Sequence, residues 1–120
     1  MTLLVIEDEP SVRDLIALTL RGEGFAVHTA ADGRAALTMI AEAPPRAILL
    51  DVNMPQMDGF SFLEAMRNDP ARRDIPVLML TARGEPSDVR RALALGARDY
   101  IGKPFEPKQL LRRVRRLLAT

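Results

Sequence analysis

The chain has 120 residues, of which 48% are hydrophobic and 28% are charged, as in a globular domain large enough to bury one core. Its formal net charge of +1 gives no general attraction to nucleic acid or to a membrane surface, and the absence of cysteine excludes disulfides and thiolate metal sites. We predict one domain over residues 1–120 with a cytoplasmic location, because no apolar run approaches the ~20 residues of a membrane span and no signal segment precedes the first predicted strand.

Short apolar runs alternate with longer stretches of helical period, a pattern typical of repeated β-α units around a parallel sheet. Five strands are predicted, near residues 2–6, 25–29, 46–50, 76–80 and 99–101. Five helices are predicted, near residues 11–21, 33–42, 60–68, 86–95 and 107–118. The predicted fold class is therefore α/β.

Several side chains in these elements have predicted structural roles. His28 is expected at the surface of an edge strand, and Gly59 is expected to adopt a positive φ before helix 3. The spacing of Phe60, Leu63 and Met66 predicts that they face the core together. In helix 5 an apolar stripe is predicted to pack inward and four arginines to be solvated. The stripe is Leu110, Leu111, Val114, Leu117 and Leu118, and the arginines are Arg112, Arg113, Arg115 and Arg116.

The order of the strands follows from their hydrophobicity. Strands 1, 3 and 4 are continuously apolar, as expected when both faces are covered, whereas strand 2 contains polar residues and strand 5 is short. Strands 2 and 5 are thus the predicted edges, and the order 2-1-3-4-5 satisfies this condition. Strands 1 and 3 are then neighbours where the winding direction reverses, which is where open α/β sheets bind ligands.

Polar residues suited to one reaction follow four of the predicted strands. Glu7 and Asp8 follow strand 1, Asp51 follows strand 3, Thr81 follows strand 4, and Lys103 follows strand 5. Neighbouring carboxylates repel each other by about 4 kcal/mol per pair at about 4 Å, so three of them need a cation between them. With only oxygen ligands on offer, the hard ion Mg²⁺ is favoured over zinc or copper.

The same residues suit phosphoryl transfer. The predicted metal ligands are Glu7, Asp8, Asp51 and the backbone carbonyl of Asn53. Asp51 would keep an oxygen free to attack phosphorus. The transition state then needs positive charge and hydrogen-bond donors around the transferred group. The predicted phosphate-binding residues are Thr81, Lys103, Asn53 and, through its backbone N–H, Ala82.

The motifs that carry these residues resemble those of response-regulator receiver domains of two-component signalling, the class that includes chemotaxis regulators. The motifs are residues 5–9 (VIEDE), 49–59 (LLDVNMPQMDG), 80–82 (LTA) and 99–105 (DYIGKPF). Each is weak alone, but their order on four strand ends is specific, and the resemblance covers essentially the whole chain. It implies a flavodoxin-like sheet of the order given above.

The resemblance also implies a function. Asp51 would accept a phosphoryl group from the phosphohistidine of a sensor histidine kinase or histidine phosphotransfer protein, Asp8 and Asp51 would bind Mg²⁺, and Lys103 would contact the phosphoryl group. A domain of this kind is not an enzyme in the usual sense, although it assists its own phosphorylation and dephosphorylation.

Switching is implied as well. Phosphorylation would draw in Thr81 and turn Tyr100 inward. Simple edge-strand packing of Tyr100 is the alternative, because only the resemblance makes this residue a switch. The surface of helix 4, strand 5 and helix 5 would change and bind a downstream protein. The Lys103–Pro104 peptide bond is expected to be cis.

Three other functions remain as alternatives. An aspartyl-phosphate phosphohydrolase of the haloacid-dehalogenase type would need an acid where Asn53 stands. A flavodoxin-like electron carrier would meet repulsion between the flavin phosphate and the acids at residues 7–9. The regulatory domain of a DNA-binding response regulator is disfavoured by Arg98 and Gln109, which depart from the dimerising pattern. We expect a single-domain receiver that signals by protein contact and does not itself bind nucleic acid.

Overall fold

The computed structural model describes residues 2–52, 54, 57–81 and 86–119. The strands are β1 (Thr2–Ile6), β2 (Ala26–Ala30), β3 (Ala47–Asp51), β4 (Val77–Thr81) and β5 (Asp99–Gly102). The helices are α1 (Pro10–Gly22), α2 (Gly33–Glu42), α3 (Gly59–Arg67), α4 (Pro86–Ala94) and α5 (Pro107–Leu118). All ten predicted elements are present, and none of these helices has the length and apolar character needed to cross a membrane.

The five strands form one parallel sheet in the order β2-β1-β3-β4-β5, which confirms the predicted fold class and strand order. In the middle of the sheet Leu4 of β1 lies between His28 of β2 and Ile48 of β3. Because all strands run the same way, the carboxyl ends of β1, β3, β4 and β5 share one edge. The predicted site residues within the described part of the chain therefore lie along the carboxyl edge of the sheet. They are Glu7, Asp8, Asp51, Thr81 and Lys103.

The ends of β3 and β4 differ by one residue from the prediction, and the difference bears on the site. Asp51 and Thr81 are the last residues of their strands rather than the first residues after them. Asp51 lies opposite Leu80, and Thr81 lies opposite Gly102. The apolar runs end before these residues, but backbone pairing continues through them. Both side chains are thus held by the sheet itself.

Successive side chains along each strand lie on opposite faces of the sheet and belong to two separate hydrophobic cores. One face packs against α2, α3 and α4, and the other packs against α1 and α5. Phe60, Leu63 and Met66 are buried in the first core, as predicted from their spacing. Leu110, Val114 and Leu117 are buried in the second, with Leu111 and Leu118 partly buried beside them. The sheet is therefore covered on both faces, and His28 is exposed on edge strand β2.

The prediction that Gly59 adopts a positive φ is wrong. Gly59 is the first residue of α3, and among the glycines that the structure describes a positive φ is found at Gly24 and Gly96. A Cβ on Gly59 would lie 2.8 Å from the backbone oxygen of Asp51 and 2.9 Å from the Cα of Val52. Glycine is required there because α3 begins directly against the backbone at the end of β3.

Three of the four arginines of α5 that are predicted to be solvated form ion pairs. Arg113 and Arg116 both bind the Asp99 carboxylate, at 3.0 and 2.6 Å, and Arg115 binds Glu23 of α1 at 2.9 Å. The side chains of Arg115 and Arg116 remain 59% and 63% exposed, so these pairs add little stability. They nevertheless tie α5 to β5 and to α1.

Candidate functional site

The three predicted acids meet at the carboxyl edge of the sheet, between β1 and β3. One carboxylate oxygen from each of Glu7, Asp8 and Asp51 lies within 4.8 Å of the others. Glu7 and Asp51 are almost fully buried, at 1% and 3% exposure, whereas Asp8 is less buried. Because β1 and β3 are neighbours at the reversal of winding, residues far apart in sequence become adjacent there.

Lys103 joins this cluster from the loop after β5. Its Nζ donates to Glu7 Oε1 at 2.5 Å and to Asp51 Oδ1 at 3.3 Å. Its backbone N–H donates to the carbonyl of Thr81 at 2.7 Å, and the Lys103–Pro104 peptide bond is cis, the geometry that the resemblance implied. The lysine thus reaches both buried carboxylates from a backbone fixed to β4.

The environment of the cluster shifts two pKa values. Burial raises the pKa of the Glu7 carboxyl; the hydrogen bond from Lys103 opposes this rise, while the hydrogen bond and charge of Asp51 add to it. Burial alone would lower the pKa of the Lys103 ammonium, but the hydrogen bond to Glu7 and the charges of Asp51 and Glu7 outweigh burial and raise it. The Lys103 ammonium is therefore held charged, and ionisation of Glu7 is opposed.

The donor set fits a hard divalent cation. Three ionised carboxylates beside one ammonium leave a formal charge of −2, which one divalent ion would balance. All the acidic donors are oxygens, and the chain has no cysteine. Glu7, Asp8 and Asp51 would hold the ion. Asn53 and Ala82, which are also predicted to bind metal or phosphate, lie outside the described residues.

The two predicted switch residues lie near the site without being part of the acid cluster. Thr81 is 4% exposed at the end of β4, whereas Tyr100 on β5 is 39% exposed. Both line one small apolar cavity, together with Val89 and Ala92 of α4. This cavity thus lies between the end of β4, helix α4 and strand β5.

One residue at the site was missed by the sequence analysis. Arg13 of α1 donates from Nη1 to the backbone carbonyl of Glu7 at 3.1 Å. A cation near the N-terminus of a helix is disfavoured by the helix dipole by ~0.3–1 kcal/mol, so its presence there was a usable signal. Its partner is a main-chain oxygen, however, and sequence motifs do not reveal such contacts.

Together these features define a flavodoxin-like α/β domain with an acidic site and a lysine at its topological switch point. A model of the response regulator receiver domain family matches residues 3–115. The chain belongs to that family, which serves two-component signal transduction. Receiver domains are signalling domains rather than classical enzymes.

The chain is 42% identical over 113 residues to the DNA-binding response regulator MtrA of Mycolicibacterium smegmatis, covering 94% of this chain and 48% of MtrA. It is 41% identical over 116 residues to the phosphate regulon transcriptional regulatory protein PhoB of Escherichia coli, covering 97% of this chain and 51% of PhoB. It thus spans about half the length of these curated relatives. The solved structure of the chemotaxis response regulator CheY4 of Vibrio cholerae matches with a TM-score of 0.92 at 39% identity, covering 97% of both chains.

Proposed function

We propose that residues 1–120 form one receiver domain in which Asp51 accepts a phosphoryl group from a phosphohistidine, with Mg²⁺ as the cofactor. The observation that carries this proposal is the meeting of Glu7, Asp8, Asp51 and Lys103 at one edge of the sheet. The donor would be a sensor histidine kinase or a histidine phosphotransfer protein. A location in the cytoplasm, where such donors present their phosphohistidine, is part of the same proposal.

The chemistry can be followed through the residues of the chain. When bound, Mg²⁺ supplies positive charge that offsets the carboxylates and the phosphoryl oxygens. An oxygen of Asp51 forms a bond to phosphorus, the bond from phosphorus to the imidazole nitrogen breaks, and that nitrogen keeps the electron pair and takes up a proton. The Lys103 ammonium and the Thr81 hydroxyl meet the phosphoryl oxygens, together with the backbone N–H of Ala82 and with Asn53. Attack of water on phosphorus later releases phosphate and restores the carboxylate.

Loss of the carboxylate of Asp51 tests this assignment. With acetyl phosphate and Mg²⁺, mass spectrometry should show one phosphoryl group on the parent chain and none on the Asp51→Asn variant. Asp14→Asn, which changes an exposed acid of α1, is the matched control and should be labelled like the parent. A phosphoryl group on the Asp51→Asn variant, or an unlabelled parent chain, would exclude Asp51 as the acceptor.

Phosphorylation is proposed to act as a switch through Thr81 and Tyr100. The charge at position 51 would change from about −1 to about −2, with three strong acceptor oxygens added. Reversing a 1:99 population needs ~5.5 kcal/mol, which a few charge-assisted hydrogen bonds of ~1.5–3 kcal/mol can supply. The cavity shared by Thr81 and Tyr100 supports this route, because it gives Tyr100 an apolar surface to approach.

The chain offers a direct optical test of this switch. It contains one tyrosine and no tryptophan, so its intrinsic fluorescence reports on Tyr100 alone. Addition of beryllofluoride with Mg²⁺, which mimics the phosphoryl group, should change the emission of the parent and not that of Asp51→Asn. Thr81→Ala should bind the mimic with a smaller change. An unchanged emission in the parent would argue against movement of Tyr100.

For the output, we propose a single receiver domain that signals by protein contact through α4, β5 and α5. Arg98 and Gln109 depart from the pattern of dimerising relatives, and Asp99 is held within the chain by Arg113 and Arg116. A second candidate is the regulatory half of a DNA-binding regulator, which is favoured by the names and lengths of MtrA and PhoB. Light scattering with beryllofluoride separates them, since a symmetric dimer formed only with the mimic would favour the second.

A further inference from the structure

The backbone of Glu7 is hydrogen-bonded through both its N–H and its carbonyl. The N–H of Glu7 donates to the carbonyl of Ala30 at 3.1 Å, which extends the pairing of β1 with β2. The carbonyl of Glu7 accepts from Nη1 of Arg13 at 3.1 Å. Because a peptide unit is planar, a bond to its oxygen fixes the direction in which the next residue leaves the strand. The guanidinium of Arg13 therefore constrains the orientation of the peptide unit from which Asp8 continues.

The start of α1 gives this contact additional weight. The first residues of α2 and α3 are capped by Asp32 and Asp58, whose carboxylates each accept from a backbone N–H at 2.8 Å. Glu9, at the same position in α1, makes no such side-chain cap and instead accepts from the Ser11 hydroxyl. The side chain of Arg13 thus connects the first turns of α1 to the loop that presents the acids.

We propose that Arg13 is a positioning residue for the metal site: its guanidinium holds the Glu7–Asp8 peptide so that both carboxylates face Asp51. This inference rests on the proposed function, since it concerns how the chain prepares its Mg²⁺ ligands. A purely electrostatic role of Arg13 predicts the opposite effect of its removal on the affinity for Mg²⁺. A positive charge near the acids repels a cation, so its removal would tighten Mg²⁺ binding if positioning were unimportant.

The dissociation constant for Mg²⁺, measured by isothermal titration calorimetry, decides between these signs. Arg13→Gln should weaken Mg²⁺ binding roughly tenfold, as loss of an outer partner of metal ligands does. Arg13→Lys should also weaken it, because lysine keeps the charge but lacks the planar fork of donors. The matched control is Arg21→Gln in the last turn of α1, where the guanidinium donates to the carbonyl of Val27 at 2.8 Å. This control should leave Mg²⁺ binding unchanged.

A second measurement separates positioning from loss of stability. With acetyl phosphate, Arg13→Gln should need more Mg²⁺ for half-maximal labelling of Asp51 and should reach the parent rate at saturating Mg²⁺. Unchanged or tighter Mg²⁺ binding in both Arg13 variants would overturn the inference, as would equal weakening in Arg21→Gln. If circular dichroism shows that Arg13→Gln is unfolded, Arg13→Lys carries the decision. A parent chain that binds no Mg²⁺ would instead overturn the proposed function itself.

Discussion

At the scale of single residues, burial and the ion pair with Lys103 act on the pKa of Glu7 in opposite directions. Its carboxylate is 1% exposed and lies beside Asp51, with Lys103 as its cationic partner. Burial raises its pKa above the ordinary value of 4.5 despite that partner. Burial thus opposes the ionised form of Glu7, which a bound cation would favour. The site is therefore expected to be destabilising while it is empty of metal.

The stability of the metal-free chain should depend on pH through Glu7. Because its pKa is raised in the folded state, the folded chain binds this proton more tightly than the unfolded chain, and stability falls as pH rises from 4.5 through the folded-state pKa. Glu7→Gln removes this dependence. In urea melts with a chelator, Glu7→Gln should therefore gain stability relative to the parent as pH rises through that window.

Glu42→Gln, an exposed acid at the end of α2, is the control for this measurement and should follow the parent at every pH. Saturating Mg²⁺ should reverse the order, because the parent then gains binding energy that Glu7→Gln lacks. A constant difference between Glu7→Gln and the parent across the pH range would show that Glu7 does not titrate in this way.

The residues of the site were predictable from sequence because each follows an apolar run. The ion pairs between these residues were not predictable from the sequence. That Lys103 donates to Glu7 as well as to Asp51 depends on the turn after β5, and the contact of Arg13 is with a main-chain carbonyl. Neither contact leaves a periodic or compositional signal. Residue types thus predict which groups take part, and only packing determines which groups touch.

At the scale of elements, α3 and β3 approach too closely for any side chain at their junction. The N–H of Gly59 donates to the carbonyl of Val52 at 2.9 Å, which closes the loop that follows Asp51. The sequence predicts a positive φ at Gly59, since a turn before a helix is the common reason for glycine. Close approach between two backbones cannot be predicted from sequence, because it depends on how the two elements are positioned relative to each other.

Gly59→Ala should therefore destabilise the domain by at least about 1–3 kcal/mol, the usual cost of overpacking, because the atoms in the way are backbone atoms. Gly22→Ala is its matched control: it lies at the end of α1 with no atom within 4 Å of the added Cβ, and it should be neutral or stabilising by ~0.4–1 kcal/mol. Urea denaturation measures both. Equal free energies of unfolding for the two variants would refute the close-packing explanation.

The one-residue errors at β3 and β4 have a common cause. Asp51 and Thr81 interrupt the apolar pattern, so the prediction ended each strand before them. The ladder continues because backbone pairing does not depend on side-chain polarity, as shown by the bond from the N–H of Val52 to the carbonyl of Leu80 at 3.0 Å. At strand ends that carry functional residues, the hydrophobic pattern therefore ends before the backbone pairing does.

At the scale of the whole molecule, the domain places an unfavourable cluster of charge on a sheet that is well packed on both faces. A ligand that binds only the folded chain adds RT ln(1 + [L]/Kd) to its stability, or ~2.7 kcal/mol at a hundredfold excess over Kd. Mg²⁺ would bind the acids only when the sheet brings them together. Folding and metal binding should therefore be coupled.

The thermal midpoint of the parent should rise with Mg²⁺ concentration, and Asp8→Asn should lose most of that rise. Asp8 is the least buried of the three acids, and the ion pairs of Lys103 in the described part of the chain are with Glu7 and Asp51. Replacement of Asp8 therefore removes a metal ligand without breaking those pairs. Asp14→Asn, an exposed acid of α1, should respond to Mg²⁺ as the parent does. Equal rises in all three proteins would mean that Mg²⁺ acts by general screening, which the acid cluster at the switch point does not predict.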